Sequence, residues 1–265
     1  MKLSAIHVYP IKSLRGVSVR AARTRVGGLE HDRRWMLVDE AGTFVTQRED
    51  PALARLTVGL FDGGIRVGAT GEAIEIPLQH DGPRVGVRVW RSSLEAIEHE
   101  AGSAFFSRYL RRPLRLVYQP ADALRVVQDS TRPGDRVSLA DSEALLLVGQ
   151  GSIDGLNERV REPALPVTRF RPNLVVEGAP PHAEDAWATV RIGAIGLRGV
   201  GRCSRCVMTT LDPLSGDKGV EPLRTLAEYR REHGKVWFGA YFVADDHGWL
   251  RVGDEVVVST HTDPG

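Results

Sequence analysis

Short alternations of apolar and polar residues dominate the first 90 positions of the chain. They include the stretches "VSVRAARTRV", "RWMLVDEAGTFVT", "IRVGATGEAIEI" and "VGVRVW", with glycines between them. A period of two is typical of strands that bury one face and expose the other. The pattern therefore predicts a β-rich first half, in which Glu40, Ala41 and Gly42 form a turn between two strands.

A different period appears in residues 92–112, "SSLEAIEHEAGSAFFSRYLRR". Its apolar residues recur at helical spacing, at Leu94, Ile97, Ala101, Phe105 and Tyr109. Ser93 is placed to cap the first turn, and Pro113 follows the last one. The spacing predicts a helix over most of this stretch and a domain boundary near residue 115.

The second half mixes strands with two short helices. "SIDGLNERV" predicts a helix capped by Ser152, and "EPLRTLAEYRRE" predicts a helix with Pro222 in its first turn. "FRPNLVVEG", "AYFVADD" and "GDEVVVST" predict strands, and Asp212–Gly216, "DPLSG", predicts a turn. We therefore expect a mainly β, α+β fold with two domains, residues 1–115 and 116–262.

The charge balance excludes a general polyanion-binding surface. The chain of 265 residues has 35 Lys and Arg against 34 Asp and Glu, which gives a formal charge of +1. No field of one sign therefore favours nucleic acid or a membrane surface. The N-terminus has no apolar run of signal-peptide length, and about 18 uncharged apolar residues never occur in a row. We expect a cytoplasmic protein that binds neither nucleic acids nor membranes.

Both cysteines lie in one motif, "GVGRCSRCVMTT", as Cys203 and Cys206. A structural zinc site needs four ligands, but the chain has only this pair, and no two of its eight histidines have finger spacing. A thioredoxin-type pair needs a helix N-terminus, whereas the "VMTTLDP" that follows predicts a strand or loop. Two buried, reduced thiols are a third alternative, but the flanking glycines and Arg205 are unusual for a core.

A thiolate on a cationic, glycine-rich loop has a fourth use. It can be the single protein ligand to a soft metal whose other ligands come from an organic cofactor. A cofactor with a phosphate would need cations converging from several loops, and arginine is the preferred forked donor. The stretches "YPIKSLRG", "HDRRW" and "RFRPN" supply such cations.

Together with "SRCVMTT", "EPLRTLAEYR" and "FGAYFV", these stretches make the chain resemble the MOSC-domain family. The similarity is to the branch with an N-terminal MOSC β-barrel domain, to which the amidoxime-reducing components belong, and it runs from Leu3 to about Val258. The resemblance implies a β-barrel-like first domain followed by a β-barrel MOSC domain. It also implies a molybdenum-molybdopterin cofactor with Cys206 as its metal ligand.

The same resemblance assigns further site residues. Cys206 and Tyr241 match catalytic positions near the metal. The matched cofactor-binding positions are Lys12, Ser13, Arg33, Ser142, Arg171, Asn173, Ser204 and Arg205. Relatives often have a small polar residue and a proline after the position of Ser142, where this chain has Glu143 and Ala144. A glutamate facing a phosphate is unfavourable, which puts that contact in doubt.

Each of these residues also has an ordinary structural explanation. Lys12 and Arg33 could be solvated surface charges, because most Lys and Arg residues are exposed. Tyr241 lies in the apolar run "AYFV" and could be plain core. Burial and convergence of these side chains would decide between the two interpretations.

The reaction implied by the resemblance is reductive removal of oxygen from small N-hydroxylated substrates, such as amidoximes, hydroxylamines or N-hydroxylated bases. An iron–sulfur cluster takes about four cysteines, so electrons would come from a separate electron-transfer protein or reductase. The alternative is a carrier that delivers molybdenum cofactor or sulfur, since related domains occur in molybdenum cofactor sulfurases.

Overall fold

Strands make up most of the computed structural model, which describes residues 1–127, 132–160 and 163–261. The described strands are β1 (Lys2–Val8), β2 (Val17–Val19), β3 (Ala21–Arg25), β4 (Gly28–Leu29), β5 (Trp35–Val38), β6 (Thr57–Phe61), β7 (Gly64–Ala69), β8 (Glu72–Pro77), β9 (Arg84–Val89), β10 (Ser92–Glu98), β11 (Arg115–Tyr118), β12 (Arg125–Val126), β13 (Arg136–Val137), β14 (Leu145–Gly149), β15 (Leu174–Glu177), β16 (Trp187–Ile192), β17 (Ile195–Ser204), β18 (Arg231–Glu232), β19 (Lys235–Ala244), β20 (Trp249–Arg251) and β21 (Val256–His261). The α-helices among these residues are α1 (Glu100–Leu110), α2 (Gln150–Asn157) and α3 (Leu223–Tyr229).

The largest sheet joins the start of the chain to its second half. Its strand order is β2-β1-β15-β14-β19-β17-β16-β21, and β18 pairs with β19 outside this path. β1 runs antiparallel to β15, with Ile6 opposite Leu174, and β14 runs parallel to β15. One face of this sheet buries a core that includes Leu147, Leu197 and Phe242. The first strand is therefore held by long-range pairing, and the loop that follows it is carried to the ends of β14 and β15.

A second sheet, β5-β11-β10-β9, forms the frame of the first half. α1 packs on β11, and its side chains Phe105 and Phe106 are fully buried with Trp35 in a separate core. β6, β7 and β8 form a three-stranded meander beside it. Most strands predicted from the two-residue period in the first half are thus present, and at the predicted turn Gly42 N donates to Asp39 O. The stretch after this turn forms only isolated bridges, Val38 with Phe44 and Thr43 with Arg88, and not the predicted second strand.

The predicted start of the first helix was wrong. Residues 92–98 are the strand β10, paired with β9 and β11, so Leu94 and Ile97 are strand residues. The helix begins at Glu100, and its cap is His99, not Ser93. His99 Nδ1 accepts a hydrogen bond from Gly102 N at 3.0 Å. The helical spacing of Leu94 and Ile97 was misleading, because these two residues lie on a strand. β10 has a paired strand on each side, and hydrogen bonds to both strands decide its conformation more strongly than the spacing of its apolar residues does.

Ser152 also has a role other than the predicted one. α2 is preceded by Gly149 as its N-cap residue, and Ser152 lies inside the helix. Its hydroxyl donates to the buried carboxylate of Glu184 at 2.8 Å, and the amide of Gly149 donates to the same carboxylate. A buried carboxylate stays in place only when such donors satisfy it. Ser152 therefore ties α2 to the segment before β16.

The remaining predicted elements of the second half are present. "FRPNLVVEG" contains β15, "AYFVADD" lies on β19, "GDEVVVST" contains most of β21, and Pro222 directly precedes α3. At the predicted turn, the Asp212 carboxylate accepts from the amides of Leu214 and Ser215. The two-domain division at residue 115 remains a prediction, and its outer limit at 262 lies outside the described residues. None of the helices in the described part is long and apolar enough to cross a membrane.

Candidate functional site

A cavity of about 320 Å³ lies where loops from both halves of the chain meet. Every site residue predicted from the sequence lines it, namely Lys12, Ser13, Arg33, Ser142, Arg171, Asn173, Ser204, Arg205, Cys206 and Tyr241. Lys12 is only 5% exposed, so it is not a solvated surface charge. The structure therefore brings together residues up to 229 positions apart in sequence, although their individual roles remain predictions.

Neighbouring strands of the large sheet explain this convergence. Lys12 and Ser13 follow β1, Arg171 and Asn173 precede β15, and Ser142 precedes β14. Tyr241 lies on β19 opposite Leu146 of β14, and Cys206 follows β17, the next strand in the sheet. Side chains on loops that flank adjacent strands are only a few ångströms apart, whatever their separation in sequence.

The backbone around the cavity is unusually strained. Eight non-glycine residues in the described chain have positive φ, and four of them line the cavity: Ser13, Arg33, Trp90 and Arg171. A bulky residue in this region is costly and persists only where the surroundings enforce it. The strain is thus concentrated where side chains converge.

Two arginines sandwich one buried tyrosine beneath the cavity. The Cζ atoms of Arg33 and Arg171 lie 4.4 and 4.3 Å from the ring centroid of Tyr9. The ring is fixed because Tyr9 Oη donates to Pro172 O at 3.2 Å. The Asp32 carboxylate pairs with Arg33 and accepts from Tyr9 N at 2.8 Å. Each guanidinium is therefore held against one face of the Tyr9 ring, and that of Arg33 is also paired with the buried Asp32 carboxylate.

The Asn173 side chain links strands β1 and β14 with Arg33 instead of pointing freely at a ligand. Its Oδ1 accepts from Leu146 N and from Arg33 Nη1, each at 3.2 Å. Its Nδ2 donates to His7 O at 3.2 Å. Both polar atoms of the amide thus have protein partners, so Asn173 orients Arg33 and fixes the cavity wall.

Positive charge exceeds negative charge in the wall of the cavity. Five cations line it, Lys12, Arg33, Arg48, Arg171 and Arg205, against the carboxylates of Asp141 and Glu143. Burial lowers the pKa of Arg171 to about 10, and it lowers the pKa of Lys12 to about 8 despite the nearby Asp141. Buried cations of this kind are stabilised by an anion. The excess charge therefore suits a bound anionic group, although Glu143 opposes a phosphate on the side of Ser142.

The two cysteines have different surroundings. Cys206 is exposed at the cavity, whereas Cys203 is 2% exposed and packs in a core with Phe170. Arg205 Nη1 donates to Cys203 Sγ at 2.7 Å, and the buried Arg205 Nε has no hydrogen-bond partner. Cys206 precedes a single 3₁₀ turn, Val207–Thr210, where the sequence predicts a strand or loop. The helix dipole that activates a thioredoxin-type thiol is thus missing at this motif.

Tyr241 is partly buried in the cavity wall, where it packs against the core that contains Cys203. Burial, the neighbouring Cys203 and a hydrogen bond to it raise the pKa of the Tyr241 phenol well above its usual value, against a smaller opposing effect of Arg205. Tyr241 therefore stays protonated at neutral pH and keeps an O–H group beside the cavity.

Among the residues that line the cavity, sequence reasoning did not select Arg48, Trp90 and Asp141, whose polar groups meet there. Asp141 accepts hydrogen bonds from Lys12 Nζ, from Arg48 Nη2 at 2.9 Å and from Trp90 Nε1 at 3.2 Å. Burial alone would raise the pKa of Asp141, but Lys12 and Arg48 lower it well below its usual range. Asp141 could have been found from the sequence, because it directly precedes the predicted site residue Ser142. No sequence pattern marked Arg48 or Trp90 as site residues.

Comparisons with known proteins agree with this architecture. Residues 1–113 match the MOSC N-terminal beta barrel domain, and residues 134–257 match the MOSC domain. The chain belongs to the MOSC-domain family. This confirms the mainly β class and the predicted succession of the N-terminal MOSC barrel domain and the MOSC domain.

Two groups of curated relatives resemble this MOSC protein. It is 32% identical to mitochondrial amidoxime-reducing component 1 of Homo sapiens, over 96% of this chain and 82% of the relative. It is 31% identical to the Xenopus laevis protein of the same name, over 96% and 81%. It is also 32% identical to molybdenum cofactor sulfurase of Oryza sativa subsp. japonica, over 97% of this chain but only 35% of that protein.

Proposed function

We propose that this MOSC protein binds a molybdenum-molybdopterin cofactor in its cavity and reduces N-hydroxylated small molecules. The observation that carries the proposal is an exposed Cys206 thiol in a cavity whose wall has an excess of buried and partly buried cations. The chain is also similar to amidoxime-reducing components along 82% of the human protein's length. The cytoplasmic location and the separate electron donor belong to the same proposal.

The residues present fit such a group. A thiolate is the soft ligand that molybdenum would need from the protein, and Cys206 is accessible to act as one. Arg33 and Arg171 would face the anionic part, with Lys12 and Ser13 beside them. The unpartnered Nε of Arg205 is a further donor on the metal side. Ser142 and Ser204 complete the cavity wall. The negative charge of Glu143 would disfavour a phosphate next to Ser142.

The chain's own residues would orient the reactants and hold protons. The cofactor, when bound, supplies the two-electron redox chemistry. The open cavity mouth admits a substrate, and Tyr241 keeps its proton on Oη beside the thiol motif. Reduction of an amidoxime breaks the N–O bond, consumes two electrons and two protons, and releases an amidine and water. The electrons enter from the separate donor.

A carrier function is the second candidate, and a specific observation favours it. Identity to the plant sulfurase is as high as identity to the human amidoxime-reducing component. A carrier would hold the cofactor or a persulfide at Cys206 and pass it on. The two candidates differ in turnover and in what leaves the protein.

The first prediction concerns the bound group. Protein expressed in a host that makes molybdopterin will contain molybdenum and pterin phosphate in near-equal amounts, because one thiol and one cationic wall define one site. Elemental analysis and phosphate release measure this. The same protein from a host unable to make the cofactor will fold, since its cores do not depend on a metal. Zinc in place of molybdenum would contradict the prediction.

The second prediction concerns turnover. Holoprotein with NADH alone will not reduce benzamidoxime or N-hydroxylated adenine, because the donor is a separate protein. With reduced viologen it will convert them to the amidine or the amine, as detected by chromatography. Cofactor-free protein is the matched control. Metal-replete protein that reduces none of these compounds, yet transfers its cofactor to an apo-molybdoenzyme, would establish the carrier function instead.

A further inference from the structure

Arg48 is a cation of the cavity wall that contacts the Cys206 sulfur. Its Nη2 lies 3.6 Å from Cys206 Sγ and 2.9 Å from Asp141 Oδ2. Its side chain is 23% exposed, so the group is reachable from the cavity and still partly desolvated. The guanidinium Nε and Nη1 make no described hydrogen bond within the protein. They are donors available to a molecule in the cavity.

The position of Arg48 is set by an unusual aromatic residue. Trp90 occupies the two-residue turn between β9 and β10, where Val89 pairs with Ser92. Its φ is +53°, a conformation that such turns normally assign to Gly, Asn or Asp. The Trp90 side chain is 48% exposed, so burial of its ring does not account for the strain. A strained residue at a cavity mouth points to a functional constraint.

Trp90 holds the guanidinium of Arg48 and its counter-ion at the same time. The Cζ atom of Arg48 lies 5.3 Å from the Trp90 ring centroid, and Trp90 Nε1 donates to Asp141 Oδ1. Phe44 supports the ring, with centroids 4.9 Å apart. Ring, carboxylate and guanidinium thus form one arrangement in which Arg48 faces Cys206.

We propose that Arg48 is a catalytic residue of this protein, which binds the departing oxygen of an N-hydroxylated substrate, and that Trp90 is its positioning residue. The inference rests on the proposed reductase function. When the N–O bond breaks, the nitrogen and the oxygen each take up one proton from water, and the separate electron donor supplies the electron pair that reduces the nitrogen. Negative charge develops on the oxygen before it leaves as water. A fixed guanidinium beside Cys206 stabilises that charge without reorganising.

The test compares Arg48→Met and Arg48→Lys with Arg91→Met. Arg91 is the exposed next residue of the same turn, so its loss removes the same charge outside the cavity. With benzamidoxime and reduced viologen, Arg48→Met will lower kcat about 100-fold, Arg48→Lys less, and Arg91→Met little. Molybdenum content will stay at the wild-type value in all three. Millimolar guanidinium chloride, far below denaturing concentrations, will restore part of the activity of Arg48→Ala.

Trp90 gives an independent measurement. Trp90→Gly relieves the positive φ, so its thermal midpoint will change little, but kcat will fall while molybdenum content stays constant. Trp90→Phe keeps a ring beside Arg48 and will recover most of kcat. A Trp90→Gly variant that loses stability and kcat together would show a structural role and overturn the positioning claim.

The outcomes separate this inference from the proposed function. If the wild-type holoprotein reduces no N-hydroxylated compound, the reductase function fails, and the role of Arg48 in it fails too. If the wild type is active and Arg48→Met retains its kcat, only the assignment of Arg48 is overturned. If Arg48→Met loses its molybdenum, Arg48 serves cofactor retention and the catalytic assignment is wrong.

Discussion

Replacing Cys206 by serine will remove most of the bound molybdenum and lower viologen-driven turnover about 100-fold or more. The sulfur is the exposed thiol of the cavity, and a serine hydroxyl is a poor substitute for a soft thiolate ligand. Molybdenum per protein and the rate with benzamidoxime measure the two effects. Circular dichroism of the variant will match the wild type, because an exposed side chain contributes little to the core.

Cys203→Ser is the matched control in the same motif. Cys203 is buried and accepts a hydrogen bond from Arg205, and a serine oxygen can accept the same bond. This variant will keep most of its metal and activity. Equal loss in the two variants would contradict a single-ligand role for Cys206, because sulfurs that act as a dithiol unit fail together.

Asp32→Ala will destabilise the fold by about 3–5 kcal/mol. The Asp32 side chain is fully buried and pairs with Arg33, and its other oxygen accepts from Tyr9 N. Removing it leaves the Arg33 guanidinium, which shares the Tyr9 ring with Arg171, without its buried carboxylate partner. Urea unfolding of the cofactor-free protein measures the change in the free energy of unfolding.

Asp122→Ala is the control for this prediction, because Asp122 also pairs with an arginine, Arg84, but at the surface. Solvent-screened pairs contribute little, so this variant will unfold close to the wild type. Asp32→Asn can still accept the hydrogen bond from Tyr9 N, so its free energy of unfolding will lie between those of Asp32→Ala and Asp122→Ala. This variant provides the measurement if Asp32→Ala does not fold. If Asp32→Ala loses no more free energy of unfolding than Asp122→Ala does, the buried Asp32–Arg33 pair is not needed for stability.

The cavity residues illustrate how far a motif can be traced from sequence. The thiol motif stood out because it holds both cysteines of the chain, whereas "YPIKS" and "FRPN" were selected through the family resemblance. The structure brings all three stretches to one cavity. Arg48 and Trp90 belong to unremarkable stretches. Arg48 reaches Cys206 over 158 residues of sequence and Trp90 reaches Asp141 over 51, and no local pattern encodes such contacts.

The sequence by itself determined the mainly β class, most strands and the thiol motif, because hydrophobic periodicity and composition are local properties. It misplaced the start of α1, since both a strand and a helix can carry the apolar residues of 92–98, and only pairing with β9 and β11 selects the strand. The tertiary structure alone decided that β1 joins β15, that Asp32 lies buried between Arg33 and Tyr9, and that Asp141 holds Lys12 and Arg48 at the cavity. Each of these arrangements includes a contact between segments that are distant in sequence. The burial of a group and the charges around it are set by the folded neighbourhood rather than by the neighbours in sequence.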